Sequence, residues 1–389
     1  MSAKSPRSFS STVSLRKIIA MGVLAGAGFA SAQTIMQLPD SLYTPGDTIT
    51  WVKKIPTFCE GPVWEAATGS VYFTRQQLQS TTWPIIRVKP GVDTGVVWVA
   101  SPGEANGLDL DPQGRLVAAQ RGRLTRYKAD GSVDSVLFTS PNNGVTVGLI
   151  NDLSIGGNGA IYFTTNGSQI YYLSPERLVT LAYSGAASAN GIEWVMEDSA
   201  VYVNEQRQVK RYKVNPNGTL SNPTTFITVA PGTGGTYADG GTIDAHGNRY
   251  IANFTLGEIK IFNARGDSIG RIVPRVVTSG FEGFNGAMGN VSNIVFGGPD
   301  LKTMYFTGDG GLYALRMKIP GWVRQGYATS LRTTRLPVKF NVVPQNLDAA
   351  RDVRGRLISA PIDTRTQESS TPVFQSPASA QPSTTSHKN

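Results

Sequence analysis

The chain repeats one pattern of apolar and polar positions six times between residues 60 and 308. Each copy opens on a short polar side chain, continues with an apolar run, turns at Gly, Asp or Pro, and ends with a second apolar run. The copies start at Glu60, Asn106, Asn151, Asn190, Asp239 and Asn293, with spacings of 46, 45, 39, 49 and 54 residues. Five copies carry a tyrosine 11 or 12 residues after the start: Tyr72, Tyr162, Tyr202, Tyr250 and Tyr305. The second copy has Val117 at that place.

Each repeat leaves room for two more short strands before the next one begins. In the first repeat these are residues 85–88 and 96–99, which are rich in Ile and Val. Four strands in every 40–50 residues are typical of a β-propeller, and no apolar period of 3.6 residues competes here. The sequence therefore predicts an all-β fold, a six-bladed β-propeller with four-stranded antiparallel blades.

A propeller has to close its ring or leave a sheet edge exposed. The segment 48–53, just before the first repeat, resembles the fourth strand of a blade. We expect this N-terminal strand to complete the last blade. The alternative is a lone edge strand.

The N-terminal residues 1–32 have the features of a secretory signal peptide. Basic residues come first, residues 18–30 are apolar, and the sequence Ala30-Ser31-Ala32 precedes Gln33. An apolar run this short is too short to span a bilayer comfortably, and an A-x-A sequence is typical of signal-peptide cleavage. We expect cleavage after Ala32 and a secreted or periplasmic protein that has no contact with a membrane afterwards. An uncleaved membrane anchor is the alternative.

The mature chain divides into a propeller domain and a tail. The propeller is predicted to occupy residues 33–345, of which 320–345 are either a final strand or a wrap-around extension. Residues 346–389 are rich in Ser, Thr and Pro, and we expect disorder there because so few large apolar side chains cannot offset the entropy of ordering.

Composition and charge exclude several classes of site. The chain has one cysteine and two histidines, so a disulfide framework, a Cys-rich zinc site and a His cluster are not expected. The net charge is +9, and removal of residues 1–32 takes away four basic and no acidic side chains, which leaves +5. No dense stripe of Lys and Arg with aromatic residues occurs, so nucleic acid is not an expected partner. We expect a monomer that acts on a small molecule.

The opening residues of the repeats are the candidate functional groups. In a propeller the first strand of each blade lines the central channel, so two carboxylates and four carboxamides would converge at one mouth. Carboxylates brought together either raise each other's pKa or recruit a cation, and Ca²⁺ takes oxygen ligands of these types. The alternative is that these short polar side chains only cap strands and line a wet channel.

The run Glu60-Gly-Pro-Val-Trp64 resembles the opening motif of the gluconolactonase, regucalcin and luciferin-regenerating family. Four later segments also resemble motifs of this family: residues 151–152, 190–192, 239–240 and 293–308. The resemblance implies a six-bladed propeller with a catalytic divalent cation, calcium first, and zinc, magnesium or manganese as alternatives. It implies cation ligands at Glu60, Asn151, Asn190 and Asp239, with Asp239 also as the general base or nucleophile.

The same resemblance suggests residues around the substrate. Asn106 and Arg121 lie where some members contact the substrate, and Asn293 would line the channel. Residues 118–121 and 163–166 depart from the sugar lactonases, which often carry an acidic residue or Asp-Pro there. Gly241 replaces a larger apolar residue. These departures leave the predicted cation site intact and concern the choice of sugar.

The resulting expectation is a metal-dependent hydrolase, specifically a gluconolactonase-like sugar lactonase. The cation would act as a Lewis acid on the lactone carbonyl, and Asp239 would accept the proton of the attacking water. The alternatives are another ester or phosphotriester hydrolase with the same cation, or a binding propeller whose cation is structural.

Overall fold

The computed structural model describes residues 35–77, 80–195, 199–231, 238–274 and 290–324. The predicted signal peptide, the predicted tail and residues 325–345 lie outside these ranges. Within them every element is a strand, and the fold is an all-β propeller built mostly of four-stranded antiparallel sheets. No helix in the described ranges is long and apolar enough to cross a membrane.

Three of the middle repeats each form one four-stranded antiparallel sheet. The second repeat gives β6 (Leu108–Leu110), β7 (Leu116–Gln120), β8 (Arg123–Tyr127) and β9 (Val133–Thr139). The third gives β10 (Leu153–Ile155), β11 (Ile161–Thr164), β12 (Gln169–Leu173) and β13 (Val179–Ser184). The fourth gives β14 (Ala189–Val195), β15 (Ala200–Glu205), β16 (Gln208–Val214) and β17 (Leu220–Thr228).

The fifth repeat carries one strand more than predicted. Its own strands are β18 (Ala238–Ile243), β19 (Arg249–Asn253), β20 (Glu258–Phe262) and β21 (Ser268–Val273). The short strand β1 (Ile35–Gln37) pairs antiparallel with β21, its Met36 opposite Ile272. This addition covers the outer edge of that sheet, which would otherwise present unpaired backbone groups.

The first and sixth repeats share a single six-stranded sheet. Its strands are β22 (Val291–Gly297), β23 (Thr303–Arg316), β2 (Thr50–Glu65), β3 (Ser70–Arg75), β4 (Ile85–Val88) and β5 (Val96–Val99), in this order. The predicted pairing of the N-terminal strand with the last repeat is present, with Trp51 opposite Tyr313. The predicted count of six separate blades is wrong, because β2 and β23 run on without a break and the strands form five sheets.

Aromatic packing between neighbouring repeats explains the recurring tyrosines. Tyr162 packs edge-on against Trp194 of the next repeat at 4.8 Å between ring centroids. Tyr305 of the sixth repeat stacks at 5.9 Å on Trp64 of the first. Each such pair contributes about 0.5–1.5 kcal/mol beyond its buried area. In these two repeats the recurring tyrosine therefore joins one repeat to the next.

Candidate active site at the channel mouth

The six opening residues lie where the innermost strands begin. We call this end of the channel the mouth. Glu60, Asn190, Asp239 and Asn293 lie within their strands, and Asn106 and Asn151 come just before theirs. All except the half-buried Asn151 are buried, with exposed fractions of 4–8%. Polar side chains buried to this degree need partners.

Glycines beside the opening residues let the backbone of one repeat lie directly against atoms of another repeat at the mouth. A Cβ on Gly61 would lie 2.5 Å from the carbonyl oxygen of Asn106, and one on Gly107 would lie 2.5 Å from an Asp152 carboxylate oxygen. A Cβ on Gly240 would overlap the side-chain amide of Asn293. Only glycine allows such contacts.

A second set of buried polar side chains recurs in every repeat, and the sequence reasoning missed it. These side chains end the second apolar run of every copy, 13 or 14 residues after the opening residue: Thr74, Gln120, Thr164, Asn204, Asn253 and Thr307. Three of the six hydrogen-bond to the next repeat. The Thr74 hydroxyl donates to the carbonyl of Asn106 at 3.0 Å, and Asn204 donates to the carbonyl of Asp239. The signal was available, because a polar residue recurs at that place in all six copies.

Three carboxylates in the channel raise each other's pKa. Burial raises the pKa of Glu60 well above its usual range, and repulsion from Asp239 and Asp152 adds to the effect. Burial and the charge of Asp152 likewise raise the pKa of Asp239. Burial, with a smaller contribution from Asp109, raises the pKa of Asp152 to about 7. Such an arrangement stores repulsion that a bound cation or a proton relieves.

The donor chemistry of the mouth fits a hard divalent cation. Glu60 and Asp239 supply charged oxygens, and the Asn190 side chain hydrogen-bonds the Asp239 carboxylate. The Asn151 side-chain amide makes no hydrogen bond to any described residue. Oxygen donors of these types are the ligands that Ca²⁺ takes. Within the described ranges, no three Asp, Glu, His or Cys side chains lie close enough together to form a metal site. The predicted set of ligands contains only two side chains of these types, Glu60 and Asp239, and its other two members are asparagines.

Asn293 does more than line the channel. Its Nδ2 donates to Asp152 Oδ2 at 3.3 Å, and its side chain also hydrogen-bonds Glu60. Its Oδ1 accepts from the backbone NH of Ile294 at 2.8 Å. The amide is therefore oriented as a donor toward two carboxylates from different repeats.

Asp152 is the second group at the site that sequence reasoning did not assign. It follows Asn151 directly, and its Oδ1 accepts from the backbone NH of Leu153 at 2.9 Å. In four other copies the residue after the opening one is glycine, so the repeat pattern gives no signal for a carboxylate at this place.

The two predicted substrate contacts bond to side chains other than the three channel carboxylates. The Asn106 Oδ1 accepts from Gln76 Nε2 at 2.9 Å, which leaves its own NH₂ group free to donate. Arg121 lies in the turn between β7 and β8, at the mouth side of the second sheet, and its guanidinium forms an ion pair with Glu104. The Arg121 side chain is 60% exposed.

Two clefts lie between sheets at the end of the propeller opposite the mouth. One, of about 270 Å³, is lined by Tyr72, Trp98 and Tyr127. The other, of about 250 Å³, is lined by Arg126 and Arg177 among others. Neither contains a predicted site residue, so neither supports the predicted chemistry.

Comparisons with known proteins bear on the family and the fold of this chain. The SMP-30/Gluconolactonase/LRE-like region matches residues 58–309. The pentonolactonase XacC of Haloferax volcanii is 25% identical over 68% of this chain and 86% of its own length. The lactonase drp35 of Staphylococcus aureus is 30% identical, and the match covers 43% of this chain and 55% of that relative.

A solved structure shares the fold. The gluconolactonase XC5397 of Xanthomonas campestris superposes with a TM-score of 0.59 at 19% identity, over 72% of this chain and 94% of that one. At this level of identity the likeness bears on fold alone. The family match covers well over half of the chain and the whole ring of repeats, and the chain belongs to the SMP-30/gluconolactonase/LRE-like family.

Proposed function

We propose that the protein is a divalent-cation-dependent lactone hydrolase that acts outside the cytoplasm, either secreted or in a periplasm. The observation that carries the proposal is the pair of buried carboxylates Glu60 and Asp239, whose pKa values are both raised by burial and by the charge of Asp152, with the Asn190 side chain hydrogen-bonded to Asp239. The lactonase names of the two relatives support the reaction class. The proposed location is supported by the signal-peptide features of residues 1–32.

Glu60, Asn151, Asn190 and Asp239 would hold the cation. When bound, it supplies a Lewis acid for the lactone carbonyl and stabilises the negative charge of the tetrahedral intermediate. Calcium suits the oxygen ligands best, and zinc, magnesium and manganese are the alternatives to be compared.

Asp239 has the properties required of a proton acceptor. In the cation-free protein, burial and Asp152 raise its pKa. A bound cation would lower the pKa of Asp239 and would also make the attacking water more acidic, so the ionised carboxylate would still be able to accept the proton of that water. Asn190 fixes its orientation through the side-chain hydrogen bond, and Asn204 fixes its backbone. Water adds to the carbonyl carbon and Asp239 takes its proton. The ring C–O bond then breaks as Asp239 passes that proton to the ring oxygen, which gives the open hydroxy acid and restores the Asp239 carboxylate.

The substrate would enter from the mouth. The free NH₂ group of Asn106 can donate to an oxygen of the substrate, and Arg121 at the rim can contact an anionic or hydroxyl-bearing end. Both residues are proposed as binding groups, with a sugar lactone as the substrate class. A monomer contains the complete site.

The experiment is a substrate panel on the purified mature protein, with elemental analysis of the bound metal. Sugar γ- and δ-lactones, simple esters and a phosphotriester are assayed with and without chelator, and then with each cation restored. We expect lactone turnover that chelation abolishes and calcium restores. Turnover of only the ester or the phosphotriester would favour another hydrolase. Stabilisation by a cation without turnover of any substrate would favour a binding propeller.

A further inference from the structure

After its last strand the chain packs against the fifth repeat at the end of the channel opposite the mouth. We call this end the floor. Ala245 of the fifth repeat donates its backbone NH to the carbonyl of Pro320 at 2.8 Å, and Trp322 donates its backbone NH to the carbonyl of Ile243 at 3.0 Å. These hydrogen bonds hold the segment against the fifth sheet. Arg324 follows at once and extends toward the channel axis.

The Arg324 guanidinium contacts the innermost strands of three repeats. It forms an ion pair with Asp109 of β6 and a hydrogen bond of 3.2 Å with Glu193 of β14. It also lies 3.4 Å from the carbonyl oxygen of Ile155 in β10. The side chains of Arg324, Asp109 and Glu193 are 20%, 12% and 16% exposed. The positively charged side chain of Arg324 therefore joins three strands at the floor.

This group is joined to the third repeat, which carries Asp152, because Asp109 Oδ2 also accepts from the backbone NH of Ile155 at 2.9 Å. Asp109 and Glu193 both repel the charge of Asp152, which in turn acts on Asp239. Arg249 also lies near Glu193, with its guanidinium stacked 3.5 Å above the ring of Tyr202. With both arginines present the floor is neutral, and without Arg324 it carries one net negative charge.

We propose that Arg324 is a positioning residue that closes the channel floor and, by neutralising it, sets how strongly the mouth holds a divalent cation. This inference rests on the proposed function, because it concerns the cation of that site. A unit charge acting over roughly 10 Å at an effective dielectric constant of about 20 changes a binding equilibrium by about tenfold or more. The floor charge is therefore large enough to tune cation affinity.

The test measures the calcium dissociation constant of the purified protein at pH 8 by calorimetry. It compares one variant that removes a positive charge from the floor with one that removes a negative charge. Arg324→Gln should bind calcium about tenfold more tightly than wild type, and Asp109→Asn about tenfold more weakly. Asp109→Asn combined with Arg324→Gln removes one charge of each sign and should return to the wild-type value. Arg265→Gln is the control, since it removes the same charge from an exposed turn, where Arg265 is 73% exposed.

A folded Arg324→Gln variant with the wild-type dissociation constant would overturn the proposal. If that variant does not fold, the comparison of Asp109→Asn with wild type decides, and an unchanged constant there overturns it equally. The proposed function fails separately, if wild type binds none of calcium, zinc, magnesium and manganese. In that case the floor charge is still tested by whether Arg324→Gln takes up calcium, and no uptake would overturn both.

Discussion

The side-chain amide of Asn293 lies 3.3 Å from the carboxylate of Asp152, a residue three repeats away around the ring. The same amide hydrogen-bonds Glu60 and packs against Gly240. One neutral side chain therefore lies between two carboxylates that repel each other, and hydrogen bonding from it lowers the pKa of both. This explains how the channel tolerates its buried acids before a cation arrives.

Loss of the Asn293 amide should destabilise the cation-free protein. Hydrogen bonds to charged groups contribute about 1.5–3 kcal/mol, so Asn293→Ala should lower the free energy of unfolding by about that amount in chelator, as measured by urea denaturation. Calcium should recover part of the loss, because it compensates the same carboxylates. Asn290→Ala is the matched control, since Asn290 donates to Asp309 at 3.0 Å. If calcium restored as much of the unfolding free energy in Asn290→Ala as in Asn293→Ala, the role assigned to the Asn293 amide would be contradicted.

Replacement of Asp239 should separate catalysis from stability. Asp239→Asn keeps the shape and removes the proton acceptor, and general-base catalysis contributes about 10²–10⁴-fold. We expect kcat for lactones to fall at least about 100-fold, while the melting temperature in chelator at pH 8 does not fall, because one repelling charge is gone. Asp267→Asn is the control, since Asp267 is 61% exposed. Wild-type turnover by Asp239→Asn would rule out its role as the base.

Close packing at the mouth predicts a contrast between two glycines. A Cβ on Gly240 would overlap the Asn293 amide, whereas a Cβ on Gly148 would have no heavy atom within 4 Å. Neither position has a positive φ, so backbone strain does not distinguish them. Overpacking typically costs about 1–3 kcal/mol, so Gly240→Ala should lower the unfolding free energy by about that much and weaken calcium binding. Gly148→Ala should be close to wild type in both measurements, and equal losses would contradict this account of the mouth.

The sequence predicted those features of the fold that recur from repeat to repeat. The opening residues and the tyrosines recur along the chain, and the N-terminal strand resembles the fourth strand of a repeat. A single sequence is therefore enough to find them. The number of sheets was predicted wrongly because the pattern marks where strands start, while the continuity of β2 across residues 54–59 depends on its pairing with β23.

Residues used only once in the fold could not be found in this way. Asp152 occupies a position that is glycine in four other copies, so no repeat indicates a carboxylate. Arg324 lies 215 residues from Asp109, and nothing local to either residue marks the other as its partner. The placing of these groups depends on the closed ring, which is a property of the tertiary structure.

The Asp152 carboxyl should make the cation-free protein less stable as the pH rises. Burial raises its pKa in the folded state to about 7, whereas an unfolded Asp has a pKa of about 3.9. The folded state therefore binds the proton more tightly, and the stability that this provides is complete below about pH 4 and is lost as the pH rises to about 7. Within that window each pH unit costs up to about 1.4 kcal/mol.

This dependence can be measured as the melting temperature of chelated protein between pH 5 and pH 8. Wild type should lose stability across the range more steeply than Asp152→Asn, which cannot ionise at that position. Saturating calcium should flatten the wild-type slope, because the cation stabilises the ionised carboxylates in place of protons. Asp300→Asn is the control, since the Arg316 ion pair holds the pKa of Asp300 at about 2 and it stays ionised throughout. Parallel slopes for wild type and Asp152→Asn would show that Asp152 is already ionised at pH 5, and that the repulsion at the mouth is relieved by other means.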